Sequence, residues 1–157
     1  MTLLKYLAVM GISMLPVLEL RGAIPVGYNV WDLNILAVIA VAIIGNLIPI
    51  PFLILYGGKV LNYLASFPRL GKPFRKILEI GERKVKKMQR TLFWGLFTFV
   101  AIPLPGTGAW TGALISITLG LDLKRSMPPI MLGVLGAGGI ITALFYFAPN
   151  VFQMLVH

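Results

Sequence analysis

The sequence predicts an all-α integral membrane protein built from two inverted repeats. Each repeat is a re-entrant helical hairpin followed by a transmembrane helix, and a basic cytoplasmic amphipathic segment joins them. Three observations predict it. First, 58% of the 157 residues are hydrophobic and 12% are charged, with a mean hydropathy of +0.90, whereas a soluble domain carries about 45–50% apolar and about 25% charged residues. Second, the basic residues gather in one stretch. Third, short apolar arms broken by Gly and Pro alternate with long uninterrupted apolar runs, twice over. The expectation is one transmembrane domain over residues 1–157, with a first repeat at 1–64 and a second at 91–157.

The first hairpin is expected over residues 4–31. Residues 6–18 are almost wholly apolar, a charged step follows at Glu19-Leu20-Arg21-Gly22, and Ala23-Ile24-Pro25-Val26-Gly27-Tyr28 leads out. Each arm is too short to span, because a 13-residue helix reaches only ~20 Å against a hydrocarbon core of ~30 Å. Pro16, Gly22 and Pro25 interrupt the helix around the charged step. Such a break is tolerated at membrane depth only inside protein or beside a cavity. A competing topology makes residues 6–31 one broken span with the N-terminus inside. The first span is expected over 33–64, kinked at Pro49 and Pro51, with the polar Asn46 at mid-depth.

Residues 65–90 form the basic connection. From Lys59 to Arg90 lie ten Lys and Arg against Glu79 and Glu82, and this stretch contributes +8 of the formal net charge of +9. The positive-inside rule places it in the cytoplasm, together with Lys124 and Arg125. Phe74, Ile77, Leu78, Val85 and Met88 fall near one helical face, so the segment reads either as an amphipathic helix on anionic headgroups or as a solvated loop. Nucleic acid is not an expected partner, since no aromatic residues interleave the charges for stacking.

The second hairpin is expected over 91–121, turning at Pro103-Leu104-Pro105-Gly106-Thr107-Gly108, and the second span over 127–148. Gly133, Gly136, Gly138 and Gly139 on that span are small enough for close helix packing, within one chain or across a homodimer. With 65–90 inside, the first hairpin opens outward and the second inward. Opposed halves of this kind place transport sites near the bilayer midplane.

Only Glu19 and Arg21 carry charge deep in apolar sequence, and intramembrane charges are functional candidates by default. A carboxyl in low dielectric is suited to exchanging protons near neutral pH, so Glu19 is the proton-coupling candidate. Arg21 has the fork that grips phosphate or carboxylate. The two could instead pair with each other at an unwound tip. At the second tip, Gly106, Thr107 and Gly108 precede a helix whose positive end would face the midplane, a ready anion site, or they form a plain buried turn. Thr111 adds a hydroxyl, and Asn46 either bonds across helices or lines the cavity. Trp94 and Trp110 read as packing or cavity-wall residues, and Trp31 as an interfacial anchor. An enzyme is not expected. The single histidine is His157 and there are no cysteines, no metal-ligand cluster or P-loop occurs, and no cofactor is called for.

At Leu18-Glu19-Leu20-Arg21-Gly22-Ala23-Ile24-Pro25 and Pro103-Leu104-Pro105-Gly106-Thr107-Gly108-Ala109-Trp110-Thr111-Gly112, the chain resembles the small multidrug export protein family of prokaryotic membrane proteins. That family is similar, distantly, to DedA-type proteins. The resemblance implies two opposed re-entrant hairpins, each followed by spanning helices, and movement of polyprenyl-phosphate or phospholipid carriers. It also implies roles for acidic and arginine residues in the hairpins, which by position are Glu19 and Arg21. The arginine near the DedA Pro-Gly tip is absent from the second hairpin here.

The expected function is a multi-pass transporter or flippase of the cytoplasmic (inner) membrane. Arg21, Asn46, Gly106, Thr107, Gly108 and Thr111 would bind an anionic lipid-phosphate headgroup and Glu19 would couple a proton. Membrane lipids and a second copy of the chain are the expected partners. The alternatives are a proton-coupled exporter of small lipophilic cations and a non-transporting membrane scaffold or assembly factor.

Overall fold

The computed structural model describes residues 1–67, 71–73, 75–76, 79, 89–104 and 106–147. Among them every regular element is helical: α1 (Thr2–Met14), α2 (Glu19–Pro25) running into a π-helical turn (Val26–Val30), α3 (Ile35–Leu47), α4 (Pro49–Ser66), α5 (Gln89–Ala101), α6 (Ala109–Thr118) and α7 (Leu123–Phe147). The amphipathic helix expected within the basic stretch falls mostly on residues outside those described, as do Pro105 and the end of the second span.

Local chemistry sets the breaks. A residue before proline is pushed out of the α region. Accordingly α1 ends where Leu15 turns extended ahead of Pro16, α4 where Phe67 does so ahead of Pro68, and α5 one residue short of Ile102, which precedes Pro103. Asn34 starts α3 by accepting hydrogen bonds from the N–H groups of Leu36 (3.1 Å) and Ala37 (3.2 Å), the usual capping role of Asn. The expected interruption at Pro49 falls at Ile48, between α3 and α4. Helix α7 begins at Leu123, earlier than the expected 127.

The chain doubles back twice. Lys5 Nζ donates to the Trp31 carbonyl (3.4 Å), and Val9 lies against Gly27, so α1 runs antiparallel to the α2 stretch. Likewise Val100 and Leu96 lie against Gly112, folding α5 onto α6. In each half the first arm also packs on the following long helix. Met10 of α1 meets Gly45 of α3, and Ser13 Oγ donates to the Ala42 carbonyl (2.6 Å). Phe97, Val100 and Ala101 of α5 meet Gly133 and Gly136 of α7. Between the halves, Gly138 packs on Ile43 and Ile39, while Asn46 faces Val134 and Ala137. Rising along α3 therefore means descending along α7, so these two helices are antiparallel.

Among the described residues two helical stretches are long and apolar enough to cross a membrane: the 32 residues from Ile35 to Ser66, α3 with α4, and the 22 from Leu123 to Leu144. A core helix of a soluble protein would be mostly enclosed, yet only 33% and 39% of their most apolar stretches are buried. Large side chains such as Leu36 (74% exposed) and Phe52 (60% exposed) point away from the fold. Scattered exposed apolar residues are ordinary, but an outer surface built of them is a lipid- or partner-facing one.

Candidate functional site

The two hairpin turns meet, and both deep charges are spent on the opposite hairpin. Glu19 is buried, with only 4% of its surface exposed, and its backbone is held at φ 48°. A non-glycine residue in this left-handed region carries strain of about 1–3 kcal/mol, and such strain gathers at functional sites. The carboxylate accepts a hydrogen bond from the backbone N–H of Trp110 (Oε1, 3.1 Å). Trp110 belongs to the first turn of α6, whose N–H groups have no partner within the helix. Gly108, the residue capping α6, has no side chain to satisfy them. Glu19 therefore caps α6 from another hairpin, its negative charge at the positive end of the helix dipole.

Arg21 does the converse. Its guanidinium donates to the carbonyls of Leu104 and Thr107 (Nη2 to Thr107 O, 2.6 Å) and to Thr107 Oγ1 (2.7 Å). Those carbonyls lie in the turn between α5 and α6, outside either helix, where Pro103 and Pro105 supply no N–H groups. Thr107 Oγ1 lies within hydrogen-bond reach of the Ile102 (2.7 Å) and Leu104 (2.8 Å) carbonyls, and accepts from the Leu104 N–H (3.2 Å). The second turn is thus organised around the hydroxyl that Arg21 grips.

Gly108 makes the close approach possible. Its φ of +123° is one that L side chains rarely adopt, and a Cβ on it would strike both Glu19 carboxylate oxygens. Glycine is required there on both counts. Trp110 adds a further tie, its indole Nε1 donating to the Met14 carbonyl at the end of α1 (3.1 Å).

A crevice beneath the turns is lined by Glu19, Arg21, Asn46, Gly108, Ala109 and residues of α5 and α7, and is too narrow to hold a water molecule. Asn46 is fully buried there, and neither amide atom has a hydrogen-bond partner. On protein scales an unpaired buried amide costs about 1–3 kcal/mol. More open hollows lie away from the turns, one of about 590 Å³ counting space open to the surroundings, bordered by Leu92, Phe93, Leu121, Lys124, Arg125 and Pro129. None of the buried polar residues borders it.

The structure thus brings together Glu19, Arg21, Asn46, Thr107 and Gly108 of the residues singled out from sequence. Gly106 lies exposed at the turn, and Thr111 sits half-buried on α6 outside this set. Trp110 packs against the core, as expected, and adds its two N–H groups to the junction. No short list of residue types would have found the backbone groups of Leu104 and Trp110, though the Pro-Leu-Pro-Gly-Thr-Gly run marks where unpaired backbone must be. Of the four glycines on α7, Gly133 and Gly136 meet α5 and Gly138 meets α3, leaving Gly139 in open space. Among the described residues no group of His, Cys, Asp and Glu could hold a metal ion.

No curated protein sequence and no solved structure matches the chain. A family model does, over residues 19–140, a stretch that opens at Glu19 and takes in both turns, α3 and most of α7. Its description reads "Putative small multi-drug export protein". By that match across most of its length, the chain is a membrane protein belonging to the small multi-drug export protein family.

Proposed function

We propose that the chain is a secondary transporter whose substrate site is the junction of the two hairpin turns, and that the Glu19–α6 and Arg21–turn bonds are its closed gate. One observation carries this reading. A helix N-terminus and an arginine, together a good anion receptor, lie at one junction, and the anion now held at that helix N-terminus is the chain's own carboxylate. A carboxylate that protonates loses its hold on the N–H groups, and an incoming phosphate or carboxylate headgroup finds the same donors plus the Arg21 fork. The substrate is then an amphiphile with an anionic head, the lipid-phosphate class suggested by the DedA likeness. Thr107, Gly106 and Gly108 frame that head, with Thr111 one turn further in. Glu19 couples a proton to each exchange.

The antiparallel course of α3 and α7, each carrying the first arm of its own hairpin, supports two inverted repeats of re-entrant hairpin plus span. The basic stretch of 65–90 is then cytoplasmic, beside the anionic headgroups of the inner membrane. Two spans are little helix for a closed path, which favours a homodimer. A second reading follows from the family description: a small lipophilic cation alternates with the proton on Glu19, Arg21 being kept from repelling it by the carbonyls of Leu104 and Thr107.

Reconstitution in liposomes with an imposed pH gradient separates these readings, comparing flux of a polyprenyl phosphate and of a lipophilic cation for wild type, Glu19→Gln and Arg21→Ala. Phosphate flux lost in both variants, with normal folding, is the expected outcome. Cation flux lost in Glu19→Gln but retained in Arg21→Ala favours the second reading. No flux of either above empty vesicles, with both variants merely less abundant, would leave a scaffold.

A further inference from the structure

Asn46 is an amide with both polar atoms buried and unbonded, in a crevice that admits no water. An apolar residue of similar size would fill this position on α3 without leaving anything unsatisfied, as Val38 and Ala42 do on the same helix. Its neighbours in the crevice leave few candidates for a partner. The Arg21 donors are engaged by Leu104 and Thr107, and Val100, Val134 and Ala137 are apolar. The remaining side chain with a polar head is that of Glu19.

We infer that Asn46 is the second docking place of Glu19, and that it receives the protonated form only. On taking up a proton the carboxyl leaves the Trp110 N–H at the start of α6 and pairs with the Asn46 amide. Its O–H donates to Oδ1, and Nδ2–H donates to its remaining carbonyl oxygen. The fit selects one protonation state. An ionised carboxylate has no hydrogen to give, so it could accept from Nδ2 but would leave Oδ1 unpaired. The start of α6 selects the other state, because N–H groups at a helix N-terminus favour negative charge. The position of one side chain thus records whether the proton is bound, and its departure frees the α6 N-terminus for an anion. Asn46 is on this view a positioning residue for the proton step rather than a substrate ligand. Of the groups lining the crevice only Glu19 and Arg21, both on α2, can titrate; α2 adds Leu20, and α3, α5, the start of α6 and α7 contribute Asn46, Val100, Gly108, Ala109, Val134 and Ala137. The inference rests on the reading of Glu19 as the proton-coupling group.

Infrared difference spectra of the full chain in lipid, acid minus neutral pH, test it without any substrate. A protonated carboxyl band that disappears in Glu19→Gln identifies Glu19. In wild type that band should lie at the low frequency of a hydrogen-bonded carbonyl. In Asn46→Leu it should move up, and its pH midpoint should fall by roughly one unit, a tenfold weaker hold on the proton. Thermal stability of Asn46→Leu should match or exceed wild type, which a purely structural amide would not allow, and Asn46→Ala serves if the larger side chain misfolds. A Glu19 band whose frequency and midpoint ignore both Asn46 variants overturns the inference while leaving proton coupling intact. Absence of any Glu19 band in wild type overturns proton coupling itself.

Discussion

The two hairpin turns contribute opposite things to one junction. The first offers charged side chains, Glu19 and Arg21, on a short helix. The second offers no charge at all, only a helix start, the carbonyls of its turn and the hydroxyl of Thr107. The carboxylate meets N–H groups at the start of α6, and the guanidinium meets carbonyls of the turn before it. Two residues apart in sequence, Glu19 and Arg21 could have formed an ion pair, yet the described residues hold just one salt bridge, Arg125 with Asp122 (3.7 Å). The difference teaches why the two halves share a layout and almost no residues at their turns. In a low-dielectric setting a charge and an unpaired backbone polar group are each expensive, and matching one against the other lowers both costs. Two identical turns could not do this.

The largest effect should come from the point where the turns touch. Gly108→Ala drives a methyl group into the Glu19 carboxylate and asks an L residue to hold φ +123°. A loss of about 3–5 kcal/mol is expected, at the upper end for single substitutions, read as a collapse of thermal stability in detergent. A milder variant would separate charge from geometry at the other half of the junction. Arg21→Lys keeps the cation but cannot reach Leu104 and Thr107 at once. Losing two charge-assisted bonds while retaining one should lower stability by about 2 kcal/mol. If Arg21→Lys instead equals wild type, Arg21 acts as a point charge and the fork contributes nothing.

Much of this architecture was legible in the residues. Apolar run lengths and the Gly and Pro breaks predict the order of arms and long helices. Two lone charges in apolar sequence point to the first turn, and the Pro-Gly-Thr-Gly run to the second. What they touch was not legible. Glu19 and Trp110 are 91 positions apart, Arg21 and Thr107 are 86 apart, and the acceptors and donors are mostly backbone, which every residue carries. Local reasoning pairs Glu19 with Arg21 or leaves both open to a ligand. The left-handed backbone of Glu19 was equally hidden, because only tertiary contacts hold a glutamate there. Asn34 could have been read: an Asn immediately before a long apolar run is a helix-start signal.

Away from the turns the helices are joined by apolar packing, and there the same glycine substitution should change sign along one helix. At Gly133 of α7 an added Cβ would lie 2.6 Å from Val100 Cβ and 3.0 Å from the Phe97 carbonyl oxygen, so α5 and α7 must part. Gly133→Ala should therefore cost about 1 kcal/mol or somewhat more, as overpacking does. At Gly139 nothing stands within 4 Å, and alanine favours helix over glycine by about 1 kcal/mol, so Gly139→Ala should be neutral or slightly stabilising in thermal unfolding of the detergent-solubilised protein. A loss at Gly139 as large as at Gly133 would mean that a second copy of the chain packs on this face. The open glycine would then be a contact between chains, and the other three would remain contacts within one.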